Sequence, residues 1–329
     1  MEYGGLLNYA IFFLTTVGIF GIMALGLNVQ WGFTGQLNIG IHGLFAVGAY
    51  TAAILTTSAS ISHLGGFGLP FLLGIVAAMA VTGVIAFGVG LLTLNLRSDY
   101  LAIATIGLAE IIRLVLKNEQ WLTAGVRGIA GIDKPVGGLR GFEGALAYLG
   151  VVAVFLALSY FTLQILFRSP WARVLRAIRS NEDAVRAAGK NVLAFRVQAF
   201  VIGSLFMGLG GALYAHFSGF ISPEAFDPMY GTFLIWVMLI DGGSGNNRGA
   251  LLGALVVWGV WSLTPNLIAW LASVWEALTG ISGEGFEARS SALRMFLIGL
   301  LLNIILITRP QGILPEKPPR PFSFFGLRR

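Results

Sequence analysis

The sequence predicts an all-α fold, a polytopic transmembrane helical bundle of about nine spans, in the range of 8–10, with a cytoplasmic loop for coupling. Three observations carry that prediction. Only 11% of the 329 residues are charged, against roughly 25% in soluble domains. The hydrophobic set makes up 56%, with a mean hydropathy of +0.82. Glycine supplies 45 residues, an excess that weakens soluble helices but lets helix backbones approach closely in a bilayer. These numbers exclude an ordinary water-soluble enzyme. The absence of cysteine removes disulfide frameworks and thiol chemistry. The three histidines, His42, His63 and His216, are too scattered to suggest a metal site.

A helix needs about 20 apolar residues to cross the hydrocarbon core. The predicted spans are Leu7 to Asn28, Leu37 to Thr57, Leu69 to Leu94, Leu101 to Leu116, Ala145 to Phe167, Phe195 to Phe217, Tyr230 to Ile240, Ala250 to Leu271 and Ser291 to Thr308. Met1 to Gly5 has no basic n-region, so the first run reads as a retained helix. Tyr230 to Ile240 is short, and reads as a tilted or broken helix or as one extending back past Pro223. Lysine and arginine gather in cytoplasmic loops. With the amino terminus outside, fourteen of them fall inside and five outside, while Arg113 and Arg294 lie within spans. The carboxyl end therefore reads as cytoplasmic. Residues 1–308 form one transmembrane domain, which includes a cytoplasmic loop at 168–196 and an extracytoplasmic loop at 118–143, and 309–329 form a cytoplasmic tail.

The cytoplasmic loop is amphipathic. Trp171, Val174, Leu175 and Ile178 share a helical face while Arg173, Arg176 and Arg179 spread over the other. Pro170 suits a first helical turn. Ser180 and Asp183 resemble a capping box, so a second short helix is predicted through Asn181, Glu182, Asp183 and Arg186, stopping at Gly189. Either the segment lies in the lipid interface, or its mixed-charge second helix is a knob for a protein partner.

Elsewhere, Glu110 and Arg113 stand three residues apart in an apolar run and pair on one helix face. The pair is either a structural ion pair at the outer end of its span or a contact for the zwitterionic head of an amino acid in a vestibule. Gln36, Asn38 and His42 gather at the cytoplasmic start of the second span. They either line an inner gate or hydrogen-bond neighbouring helices. The glycines at Gly40, Gly43 and Gly48, at Gly208, Gly210 and Gly211, and at Gly249 and Gly253 recur at small-xxx-small spacing and predict close helix crossings. The run Gly242 to Gly245 lacks the Lys-Ser or Lys-Thr of a phosphate loop, which argues against nucleotide binding on this chain. The long outer loop offers Trp121, Arg127 and Asp133 to a partner or simply to solvent.

The spacing from Asp183 to Gly189 resembles the EAA-x-x-x-G coupling loop of ABC-importer permeases, with aspartate for the first glutamate and valine for the second alanine. WGFTGQLNIGIHGLFAVGAYTAA from Trp31 resembles the second-span signature of branched-chain amino-acid ABC-importer permeases of the LivM type. LRSDYLAIATIGLAEIIRLV from Leu96, GALYAHFSGFISPEAF from Gly211 and LRMFLIGLLLNIILITRPQGILPEK from Leu293 match the same family in order. Asn38 departs from the family's usual serine. The resemblance implies a permease subunit in a bacterial cytoplasmic membrane, with no catalytic residues and no cofactor on this chain. It further implies ATP and Mg on two ATP-binding partner subunits, a homologous second permease, and a periplasmic or extracellular binding protein that docks at the outer loop. Arg173, Arg176, Arg179, Asn181, Glu182, Asp183, Arg186 and Gly189 would then couple to ATP hydrolysis. Sister families carry urea and short-chain amides. A stand-alone secondary transporter would instead need embedded acids for coupling ions.

Overall fold

A computed structural model describes residues 2–58, 64–96, 98–136, 138–139, 141–279 and 290–316. Arg97, Arg140, Arg289 and the predicted tail from residue 317 onward lie outside the described residues. The long helices are α1 (Glu2–Leu27), α2 (Ile41–Thr56), α3 (Phe71–Thr93), α4 (Ser98–Asn118), α6 (Gly141–Arg168), α9 (Val192–Ser218), α10 (Leu234–Gly242), α11 (Asn247–Thr279) and α12 (Ser290–Thr308), with short α5 (Gln120–Thr123), α7 (Pro170–Ser180) and α8 (Glu182–Ala187) between them. Every predicted apolar run is helical over most of its length. Five helical stretches are long and apolar enough to cross a membrane: Gly5–Phe33, Phe71–Thr93, Gly141–Arg168, Val192–Ser218 and Asn247–Leu278. Ile41–Thr56, Met229–Gly242 and Ala292–Thr308 are shorter apolar helices. The only strands among the described residues are β1 (Ile129–Ala130) and β2 (Phe220–Ile221), an antiparallel pair that the all-α prediction omits.

α1 and α9 form the centre, with α1 against α6 and α11 and α9 against α2 and α3. Glycine permits these crossings. A Cβ on Gly48 of α2 would run into the backbone of Gly208 in α9, and one on Gly211 would meet the Phe45 carbonyl of α2. Gly26 and Gly203 make a similar approach between α1 and α9. In a bilayer, where the hydrophobic effect does not drive helices together, such contacts supply much of the association.

The second predicted span departs from the sequence reading. α1 runs on as a wide π turn over Asn28–Phe33, and residues 35–40 are non-helical before α2 starts at Ile41. Thr34, Gln36, Asn38 and Gly40 are buried, so irregular backbone lies inside the bundle. Such backbone is tolerated at membrane depth only where protein or a water-lined cavity receives its polar groups. Side chains receive several of them here, Thr105 Oγ1 taking the Ile39 N–H at 3.1 Å, and amides brace the surroundings. Gln30 Nε2 donates to the Phe200 carbonyl (2.8 Å) and to Ser204 Oγ (3.1 Å). Asn38 Nδ2 donates to Gln30 Oε1 (2.8 Å), and Asn38 Oδ1 accepts from the Gly40 N–H (2.8 Å). The Asn38 carbonyl accepts from Trp236 Nε1 at 2.9 Å.

The seventh run, Tyr230 to Ile240, lies in one continuous helical stretch with an irregular start. Pro223–Phe226 form a 3₁₀ turn, Met229–Phe233 a π turn, and α10 follows. The chain after α12 folds back onto the bundle. The Ile313 and Leu314 N–H groups donate to the carbonyls of Asp241 and Gly242, both at 2.9 Å. Gly243, at φ +118°, takes a backbone conformation there that a Cβ would strain.

Candidate functional site

Two constellations stand out, one inside the bundle and one on the face that carries α7 and α8. Inside, the break before α2 starts that helix at Ile41, so His42 lies well inside the bundle. The His42 N–H donates to Thr232 Oγ1 at 3.0 Å, and His42 Nδ1 lies 3.0 Å from the same oxygen. The hydroxyl already accepts the backbone proton, so it can give its own proton to Nδ1. In that tautomer the ring proton sits on Nε2, which is 3.8 Å from Glu110 Oε2. Glu110 pairs with Arg113 through Nε at 3.0 Å and Nη2 at 2.5 Å. Arg113 Nη1 reaches Glu224 at 3.4 Å, and Lys117 Nζ reaches Glu224 at 2.7 Å. The sequence reading placed His42 and the Glu110–Arg113 pair at opposite ends of their spans, but the structure brings them together. Glu224 escaped that reading because it lies more than 100 positions along the chain from its partners.

Beside this charged line is a cavity of about 530 Å³, lined by Leu37, Ile39, Ile106, Asp227, Pro228, Met229, Thr232, Phe233 and Trp236. Its wall is apolar except for Asp227 and Thr232. Ile106, Glu110, Arg113 and Lys117 follow one another on a single stripe of α4; of these only Ile106 lines the cavity, and Glu110 stands one helical turn beyond it. Gln36 and Asn38 do not line the cavity with their side chains. Gln36 Nε2 donates to the Arg196 carbonyl at 2.9 Å, and Asn38 belongs to the amide network. Lys117 holds the Glu224 carboxyl below the usual carboxylate range, by its hydrogen bond first and its charge second.

On the other face, Ser169 caps α7 by accepting from the Ala172 N–H, with Pro170 in the first turn. Leu175 and Ile178 are buried, and Trp171 and Val174 are half-buried. The cap of α8 is Asn181, whose Oδ1 accepts from the Ala184 N–H at 3.0 Å. The predicted cap Ser180 remains helical and donates to the Arg176 carbonyl. The extended backbone at Asn181, φ −159°, decides between these neighbours, since a capping residue must leave helical geometry. Gly189, at φ +77°, stops the segment as predicted.

The charged residues of this face divide. Arg173, Arg179, Asp183 and Arg186 are exposed, Glu182 is partly so, and the uncharged Gly189 is exposed beside them, with Arg186 bridging Glu182 at 2.7 Å and Asp183 at 3.3 Å. Arg176 and Arg179 reach toward the bundle. Arg176 donates to the Phe167 carbonyl at 3.2 Å and lies over the Phe33 ring. Arg179 donates to the Gly32 carbonyl in the π turn and pairs with Glu316 at 2.6 Å. α7 is thus tied to the irregular end of α1 and to the segment after α12. Between α7 and α8 runs a groove of about 490 Å³ bordered by Arg173, Val174, Ala177, Val185 and Ala188.

The loop after α4 makes contacts within itself and with α9. Trp121 is exposed, and its Nε1 donates to Glu119 at 2.8 Å. Arg127 ends a 3₁₀ turn and is exposed. Asp133 is exposed, and its carbonyl accepts from His216 Nδ1 at 2.7 Å.

The model for "Branched-chain amino acid transport system / permease component" matches residues 9–306. The chain belongs to that permease family. The chain is 31% identical to the high-affinity branched-chain amino acid transport system permease protein LivM of Escherichia coli, over 93% of this chain and 70% of that protein. A probable branched-chain amino acid transport permease protein LivM of Methanocaldococcus jannaschii is 27% identical over 92% of each chain. The guanosine ABC transporter permease protein NupQ of Bacillus subtilis is 27% identical over 55% of this chain and 59% of its own. No solved structure matches the chain significantly. Three of the blocks quoted from the sequence hold most of the inner constellation: the first contains the break and His42, the second Ile106, Glu110 and Arg113, and the third Glu224.

Proposed function

We propose that this chain is the membrane permease subunit of an ATP-driven importer for branched-chain amino acids. The observation that carries this reading is the family match across residues 9–306, joined to the identity with the Escherichia coli permease over 93% of the chain. The protein contributes a path and moves, while ATP and Mg bind to two partner subunits. On this reading the α7–α8 face is cytoplasmic, which agrees with the basic residues from Arg168 to Arg196. On the same reading the eight apolar helices and α4 make about nine crossings of the bilayer, with the amino terminus outside and the carboxyl end inside. Arg173, Glu182, Asp183 and Arg186 meet the ATP-binding subunits, while Arg176 and Arg179 carry their motion into the end of α1 and the segment after α12.

A homologous second permease would cover the flank on which the cavity opens. Charged groups at membrane depth have to face protein or water, and Asp227 and Glu110 have neither lipid-compatible cover nor full burial within this chain. Trp121, Arg127 and Asp133 would meet an extracytoplasmic binding protein. The test is uptake in a bacterial strain from which the gene for this chain has been removed. Labelled leucine, isoleucine and valine should fail to enter, and restoring the gene should recover them. Normal uptake of all three, with loss of guanosine uptake instead, would overturn the reading in favour of a nucleoside carrier.

A further inference from the structure

We propose that the 530 Å³ cavity between residues 37–39, α4 and α10 holds the amino acid in transit, with the Glu110–Arg113 pair taking its zwitterionic head group. This deepens the importer reading and rests on it. The cavity falls within the roughly 300–1,000 Å³ typical of small-molecule sites, which combine an apolar wall with a few polar groups that orient the ligand. Ile39, Ile106, Phe233 and Trp236 supply the apolar wall for a branched side chain. Asp227 and Thr232 stand at its polar margin, and Thr232 connects through His42 to Glu110.

The pair has the property that a transient site requires. Glu110 and Arg113 neutralise each other while the site is empty. An amino acid can enter between them with its carboxylate on the guanidinium and its ammonium on Glu110, so that neither charge is left without a partner. The Glu110 side chain is 36% exposed and that of Arg113 16%, so the pair is reachable. Arg113 Nη1 has only the long 3.4 Å contact to Glu224, which leaves a donor to begin the exchange. A purely structural pair gains nothing from standing beside an apolar cavity, whereas a zwitterion with a hydrocarbon side chain matches both parts.

The chain has no cysteine, so a single Ile106→Cys substitution gives this subunit one thiol, whose modification is read by mass spectrometry of this subunit in the complete importer, reconstituted in vesicles with its partner subunits and binding protein. Leucine supplied with ATP should slow modification of that cysteine by a methanethiosulfonate reagent several-fold, and glutamate should not. In the E110Q/R113Q background the protection should vanish and leucine uptake fall by about tenfold or more, while Arg113→Lys retains part of both. An Ile106→Cys complex that imports leucine yet is modified equally fast with and without it overturns this inference and leaves the importer reading intact. An unsubstituted complex that imports no branched-chain amino acid overturns both.

Discussion

Two polar networks run through the apolar interior, and they are satisfied in opposite ways. The amide network of Asn28, Gln30 and Asn38 is neutral and buried, and its amide groups are paired at hydrogen-bond distances of 2.8–3.1 Å. The line from His42 through Glu110 and Arg113 to Glu224 is charged, increasingly exposed toward the β1–β2 end, and incompletely paired: His42 Nε2 is buried with no hydrogen bond. The first network replaces backbone partners lost where the chain leaves helical geometry, so its task is finished in the folded state. The second retains spare hydrogen-bonding capacity beside a cavity, where function can use it. Polarity inside a membrane protein is therefore informative only with its partners counted.

The largest effect on stability is expected from Gln30→Leu. It leaves Asn38 Nδ2 buried without its acceptor, at a cost of about 1–3 kcal/mol, while Ser204 Oγ and the Phe200 carbonyl keep their bond to each other. The detergent-purified chain should melt several degrees lower and give poor yield. An unchanged melting temperature would break the distinction, because the amides would then not be holding the irregular segment.

Glu110→Gln sharpens the same comparison from the other side. A partly exposed ion pair is worth about 0.2–1 kcal/mol, so stability should move little while leucine uptake falls. If both fall together by comparable amounts, the charged line is structural too, and the two networks differ only in chemistry.

The sequence revealed α7 and α8 well because their signals are local: an amphipathic stripe, a proline at the first turn and a left-handed glycine stop. The cap slipped by one residue because Ser180 and Asn181 both carry a capping oxygen, and only the backbone decides between them. The break at 35–40 was hidden because Leu37 to Thr57 is mostly apolar, and hydropathy does not separate a helix from buried extended chain. A trace was present in the amides at 28, 30, 36 and 38, which are costly within lipid unless something irregular needs them. The cavity was invisible because residues from three separated segments build it. Its polar neighbour Glu110 was found from spacing, but its contact with His42 depends on where α2 begins.

Asn181→Ala should have a smaller and local effect. Loss of the cap costs about 1 kcal/mol, which frays the six-residue α8 without touching the bundle. The expected outcome is an unchanged melting temperature with less leucine imported per ATP hydrolysed. An unchanged ratio in vesicles would remove α8 from the coupling role.

The smallest effect belongs to the exposed end of the charged line. Glu224 is held below the usual carboxylate range, chiefly by its hydrogen bond to Lys117. Its tie to α4 is therefore fully present above the ordinary glutamate value and is lost as pH falls through the lower folded value. Salt should weaken the tie as well, since exposed pairs are screened. The Ala225 amide, which donates to the Ser222 carbonyl at 3.0 Å, reports on the turn that Glu224 anchors. After correction for intrinsic exchange, its protection should be lower near about pH 4 than at neutrality, and Lys117→Ala should erase the difference. Equal protection at both pH values in the unsubstituted chain would mean that packing alone holds the turn, and the charged line would then end at Arg113.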